Sequence, residues 1–197
     1  MAGDARTNRR FFIGASVATI ASVAIWPADA KTHAKSIIKT KAKTIAHKVE
    51  RRSLAFHNLH TGETLDAVYW VNGRYEGGVL HEINHVLRDH RDGTVHTIDP
   101  NLLDLLVRLR QRLGINSPFE VVCGYRSPET NAIMAAMSEG VASGSFHMYG
   151  KAIDLRVPGR NLRMVQRAAL SLKGGGVGYY RRSNFIHVDT GPVRHWI

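Results

Sequence analysis

Residues 145–157 read Ser145-Phe146-His147-Met148-Tyr149-Gly150-Lys151-Ala152-Ile153-Asp154-Leu155-Arg156-Val157, and their parity decides which side chains meet. His147 and Asp154 are seven positions apart, an odd offset, so one continuous strand would put them on opposite faces. Gly150 offers a turn between them, which lets His147 come from a loop and Asp154 from a strand. Along that strand Ala152, Asp154 and Arg156 share one face, while Ile153, Leu155 and Val157 share the other and read as core. A carboxylate set between Ile and Leu needs a partner, and a metal ion is a good one.

The last apolar run repeats the pattern. Phe185, His187 and Asp189 project to one face, with Ile186 and Val188 on the other. Two imidazoles and one carboxylate, with a fourth position left for water, describe a catalytic zinc site rather than a closed structural one. The expected ligands are therefore His147, Asp154 and His187, holding one Zn2+ per chain.

Outward from these segments, Leu54, Phe56 and Leu59, the turn Thr61-Gly62-Glu63, and alternating Leu65, Ala67, Tyr69 and Val71 read as a two-stranded hairpin. Asn72-Gly73 signals a second turn. Asp99 to Leu113 is the clearest helix, with Asp99 as N-cap, Pro100 at its first position, leucines at helical spacing and Gly114 as its stop. A strand at Phe119–Cys123, a helix from Pro128, strand 152–157, a helix at Leu162–Leu172 and strands near Tyr179 and Phe185–Asp189 follow. Short connections between strands favour an α+β fold, with a small, mainly antiparallel sheet and flanking helices.

The 197-residue chain carries a net charge of +11, unevenly spread. Residues 31–52 hold +7 of it, residues 1–30 hold +1, and the remainder from Ser53 onward holds only +3. A nearly balanced domain with a basic tail argues against nucleic acid as partner. Arg9-Arg10, the uncharged run Phe11 to Trp26 and Ala28-Asp29-Ala30 read as a twin-arginine-type signal peptide over residues 1–30, cleaved after Ala30. The run is shorter than the ~20 apolar residues a bilayer-spanning helix needs. This predicts a periplasmic protein that meets the twin-arginine export machinery. Residues 31–52 form a basic linker or surface-associating segment, with weak contact to membrane or anionic polymer as its functional reading. The lone Cys123 makes no disulfide within the chain and reads as a small buried residue.

The string Ser145-x-His147-x-x-Gly150-x-Ala152-x-Asp154 follows Gly124-Tyr125-Arg126-Ser127 and precedes Phe185-Ile186-His187-Val188-Asp189. Together these resemble the LAS group of zinc peptidases, which takes in D-Ala-D-Ala peptidases and the hedgehog domain, and most nearly the murein endopeptidases of type K. The resemblance covers roughly residues 53–197. It implies a hedgehog or DD-peptidase-like fold and zinc-dependent hydrolysis of peptidoglycan stems or cross-links in cell-wall remodelling. It also implies that Arg126 stands near the developing oxyanion. Many relatives carry a general base two or three residues before the final His, but here Phe185 and Asn184 stand there. Asp189 is the nearest replacement, either as the catalytic base or as a carboxylate orienting His187.

Two rival readings remain. His81-Glu82-Ile83-Asn84-His85 is an HExxH string, which on a helix would make His81 and His85 zinc ligands and Glu82 the base of a different protease class. The extended form of that motif needs Gly at 88 and His at 91, and both positions are Arg. The segment fits a short amphipathic helix with Leu80, Ile83, Asn84 and Leu87 inward. The other rival is a non-catalytic, zinc-containing peptidoglycan-binding module.

Overall fold

The computed structural model describes residues 49–138 and 141–197. The signal peptide expected over 1–30 and residues 31–48 of the basic segment lie outside the described residues. The boundary drawn between 52 and 53 falls inside the first strand, β1 (Arg51–Asn58). No helix among the described residues is long and apolar enough to cross a membrane.

β1 pairs antiparallel with β2 (Thr64–Val71), and β2 turns into β3 (Arg74–Tyr75). Asn72 and Gly73 take φ of 45° and 90° between them, the left-handed pair that a two-residue hairpin demands. Helix α1 (Gly77–Val86) buries Ile83, Asn84 and Val86. Helix α2 (Pro100–Leu113) begins as its sequence dictates: the Asp99 carboxylate accepts from the Asn101 amide at 2.9 Å, and Gly114 closes the helix at φ 60°. Leu102, Leu103, Leu106 and Leu109 on its inner face are fully buried. Then come β4 (Phe119–Cys123), α3 (Pro128–Met137), a 3-10 helix (Phe146–Tyr149) and β5 (Ala152–Arg156). The chain ends with α4 (Leu162–Ser171), β6 (Gly176–Tyr180), β7 (Phe185–Asp189) and β8 (Arg194–Trp196).

The fold is α+β, but the expectation of a small, mainly antiparallel sheet needs correction. All eight described strands join one mixed sheet in the order β3-β2-β1-β4-β5-β7-β6-β8. β1 pairs parallel with β4, and β6 pairs parallel with β8. Parallel neighbours require a long crossover. The chain makes one through α1 and α2 between β1 and β4, and another through β7 between β6 and β8. Local turn signals reveal hairpins and are silent about such crossovers.

Ile153, Leu155, Ile186 and Val188 join the leucines of α2 and Val165 of α4 in one core. Alternation therefore sends Asp154 and His187 to the opposite face of the sheet, away from α2 and α4. Gly150 ends the 3-10 helix at φ 62°, and a Cβ there would run into the Thr97 carbonyl oxygen. Gly150→Ala should therefore destabilise the domain by more than the ~1–2 kcal/mol of a left-handed alanine alone. Denaturant unfolding measures this, and a loss near zero would show that the turn is not constrained as described.

Candidate metal centre

Asp154 on β5 lies directly opposite His187 on β7, so the two side chains are cross-strand neighbours. His147 reaches the same face from the 3-10 helix, whose first turn is capped by Ser145: its hydroxyl accepts from the His147 amide at 3.4 Å. Nε2 of His147 lies 3.2 Å from Nδ1 of His187 and 3.3 Å from Oδ1 of Asp154. The third side of the triangle, His187 Nδ1 to Asp154 Oδ1, is 2.9 Å. All three residues are buried.

The far nitrogens of both rings are committed. Nδ1 of His147 is 2.7 Å from the Gly124 carbonyl oxygen, which can only accept, so the proton belongs on that nitrogen. Nε2 of His187 is 2.9 Å from Oδ2 of Asp189, which fixes its proton in the same way. The inward Nε2 and Nδ1 then bear lone pairs, facing each other and a carboxylate. Three electron-pair donors at this spacing repel unless a positive charge sits among them. A tetrahedral zinc with ~2.0–2.1 Å bonds separates its ligand atoms by about 3.3 Å, so the donor set fits such an ion.

Electrostatics agree. Burial alone would raise the Asp154 carboxyl, but the charge and hydrogen bonds of His147 and His187 overcome it and hold Asp154 well below the usual carboxylate range. Burial would likewise lower His147, yet Asp154 and Cys123 hold it well above the ordinary imidazole value. The pocket is built to keep one positive charge, whether on a proton or on a metal.

Cys123 shares this corner. It lies opposite Asp154 in the β4–β5 register, and its thiol, His147 and Asp154 bring ligand atoms within 4.8 Å of one another. Two donor sets thus overlap on His147 and Asp154, one completed by His187 and the other by Cys123.

Asp189 is fully buried and saturated. Its Oδ1 accepts from the amides of Gly176 (2.9 Å) and Gly191 (2.8 Å) and from Arg194 (3.1 Å). Its Oδ2 accepts from His187 and, at 2.8 Å, from the second guanidinium nitrogen of Arg194. Arg194 itself lies over the rings of Phe146 and Trp196, 5.2 and 5.1 Å from their centroids.

Arg126 is buried in the turn between β4 and α3. The backbone brackets that turn: the Tyr125 amide donates to Leu87 O at 2.7 Å, and the Arg126 amide to His147 O at 3.2 Å. Buried Asp89 pins it further by accepting from the Ser127 amide at 2.9 Å. The Arg126 guanidinium donates to Asn131 (3.2 Å) and to Cys123 Sγ (3.6 Å), and lies 4.0 Å from Asp154. A cavity of about 520 Å³ opens over these residues. Among the described residues its walls carry Arg91, Arg126, Arg156 and Arg194 but only one acidic residue, Asp154. His60 lines the same cavity and stacks on His90 with ring centroids 3.8 Å apart.

Comparison with known proteins fixes the lineage. The family model described as Peptidoglycan L,D-endopeptidase MepK matches residues 46–196. The chain belongs to this family. It is 44% identical over 161 residues to the Peptidoglycan L,D-endopeptidase MepK of Escherichia coli strain K12, covering 82% of this chain and 88% of the relative. It is 43% identical over 162 residues to the Probable peptidoglycan L,D-endopeptidase MepK of Haemophilus influenzae, covering 82% and 87%.

In this MepK-family chain the HExxH residues take no part in the site. His81, Glu82 and His85 are exposed on α1, and His85 faces Glu63 at 3.4 Å. Among the described residues no three-donor group includes them. The helix is the amphipathic one expected, with Ile83 and Leu87 fully buried. Sequence reasoning missed β8, Arg194 and the position of Cys123. Alternation from Phe119 and Val121 puts Cys123 in the core, but the pairing slips between Val121 and Cys123 and brings it opposite Asp154. For Arg194 the signal was available, since a buried Asp189 requires a counter-charge and an arginine follows five residues later.

Metal content separates the two histidine sets. His147→Ala should abolish stoichiometric zinc measured by atomic absorption, whereas the double change His81→Ala with His85→Ala should leave it intact. The reverse pattern would move the site to α1.

Proposed function

We propose that this chain is a zinc peptidase that hydrolyses the peptide cross-links of peptidoglycan, with His147, Asp154 and His187 as the metal ligands. The observation that carries the reading is the triangle of buried electron-pair donors at the floor of an open, cationic cavity. The names of the MepK relatives add the bond class, an L,D-linkage in peptidoglycan.

A zinc bound there supplies a Lewis acid for the scissile carbonyl and makes water more acidic. The chain's own groups do the rest. His147 and His187 are held in their ligating tautomers by the Gly124 carbonyl and by Asp189. Arg126, fixed by Asn131 and Cys123, keeps a permanent positive charge beside the ligand Asp154, where negative charge develops on a carbonyl oxygen. Cys123 serves as support for Arg126 and leaves the fourth metal position open.

Of its two roles, Asp189 takes the positioning one. Burial would raise its pKa, but His187, Arg194 and the two backbone amides hold it well below the usual carboxylate range. A carboxylate so held is a poor proton acceptor near neutral pH. Residues 1–30 act as a twin-arginine signal cleaved after Ala30, and the basic residues from 31 up to β1 form an N-terminal segment of the periplasmic domain that makes weak contacts to anionic surfaces.

Purified mature protein should release muropeptides from sacculi, and a chelator should stop it until zinc is restored. Arg126→Ala should lower kcat roughly 10²–10³-fold. Zinc-loaded protein that binds sacculi and releases nothing would instead mark a binding module. Asp189→Asn should weaken zinc by about 10–100-fold while saturating zinc recovers most of kcat. Unchanged zinc affinity with a kcat that zinc does not rescue would assign Asp189 as the base.

A further inference from the structure

Of the four cavity arginines, three are engaged within the protein. Arg194 clamps Asp189 through two contacts, Arg126 is held by Asn131 and Cys123, and Arg91 lies 4.0 Å from Asp89. Arg156 differs. It follows Asp154 by two residues on β5, so it shares that strand face at a rise of about 6.6 Å. One of its terminal nitrogens donates to the Ser183 carbonyl at 3.1 Å, which draws the guanidinium toward the turn between β6 and β7. Its Nε, like that of Arg126, is buried with no hydrogen-bond partner, so what sets Arg156 apart is the lack of a carboxylate beside its guanidinium. Among the described residues no carboxylate pairs with it, and Glu120, its neighbour across β4, forms no ion pair with it.

An unpaired guanidinium that is partly withdrawn from water costs stability unless something completes it. Here the missing partner is an acceptor with two oxygens, since the two terminal nitrogens, which unlike the buried Nε stand at the surface, form a fork that grips a carboxylate in bidentate fashion. The partner must come from the cavity, because Arg156 lines it. We infer that Arg156 reads a free carboxylate on the substrate residue next to the scissile bond. This rests on the peptidase reading above and deepens it: the preferred substrate is a cross-linked peptide bearing an ionised carboxyl one side chain's reach from the cleaved amide. Arg156 thereby acts as a specificity-determining residue, distinct from Arg126, which faces the reacting carbonyl.

The test uses the mature zinc-loaded protein and two synthetic cross-linked stem-peptide dimers. They are identical except that the carboxyl of the residue beside the scissile bond is free in one and a carboxamide in the other. The wild-type enzyme should prefer the free acid in kcat/KM. Arg156→Gln should lose roughly 10–100-fold more on the free acid than on the amide, the span of a charge-assisted pair, and Arg156→Lys should recover part of it. Zinc content and Tm of each variant check that the site and fold persist. Equal losses on both dimers, or a wild-type enzyme indifferent to the amide, would overturn the assignment while leaving the peptidase intact. Failure of the wild-type enzyme to cut either dimer or sacculi would instead remove the peptidase reading itself.

Discussion

Asp154 and His187 face each other across β5 and β7, and His147 closes on them from a one-turn helix. Three electron-pair donors buried within 3.3 Å of one another are tolerable only around a positive charge. Much of the surrounding structure serves that condition. Gly150 lets the chain turn from the helix into β5, and the Gly124 carbonyl and Asp189 hold the two rings from behind. The loop after α1 reaches in through Asp89 and Leu87 to fix the turn carrying Arg126. An electrostatic demand at one point thus explains contacts between segments far apart in sequence.

The same demand gives the C-terminal strand its importance. β8 adds only three residues to the sheet edge, yet Arg194 and Trp196 both reach the site. Arg194 supplies the charge that lets Asp189 remain ionised in a fully buried position, and Asp189 in turn orients His187. The Trp196 ring lies beside His187 and its indole N–H donates to Tyr180 at 2.9 Å. A short edge strand is thus tied to the buried histidine cluster through one ion pair.

What the sequence disclosed and what it hid follow from the range of the forces involved. The leucine spacing and caps of α2, the Asn72-Gly73 turn and the two-residue alternation of β5 and β7 are local, and each appears where the residues predict. The meeting of His147, Asp154 and His187 was legible because parity along two short strands, with a glycine between His147 and Asp154, leaves few ways to arrange them. Three features were not legible because each depends on distant residues: the parallel β1–β4 pairing, the slip that turns Cys123 toward Asp154, and the docking of β8. The HExxH string shows the converse. Its spacing is right for a metal, but α1 turns its buried side toward β2 and leaves both histidines in water.

The overlap of two donor sets on His147 and Asp154 makes the identity of the third ligand the point on which the account turns. Zinc K-edge absorption of the metal-loaded mature protein reads it directly, because sulfur and nitrogen ligands differ by about 0.2–0.3 Å in bond length. The account predicts a shell of nitrogen and oxygen at ~2.0–2.2 Å with no sulfur, unchanged by Cys123→Ser. A scatterer at ~2.3 Å that disappears in Cys123→Ser would contradict it and put the thiolate where His187 is assigned.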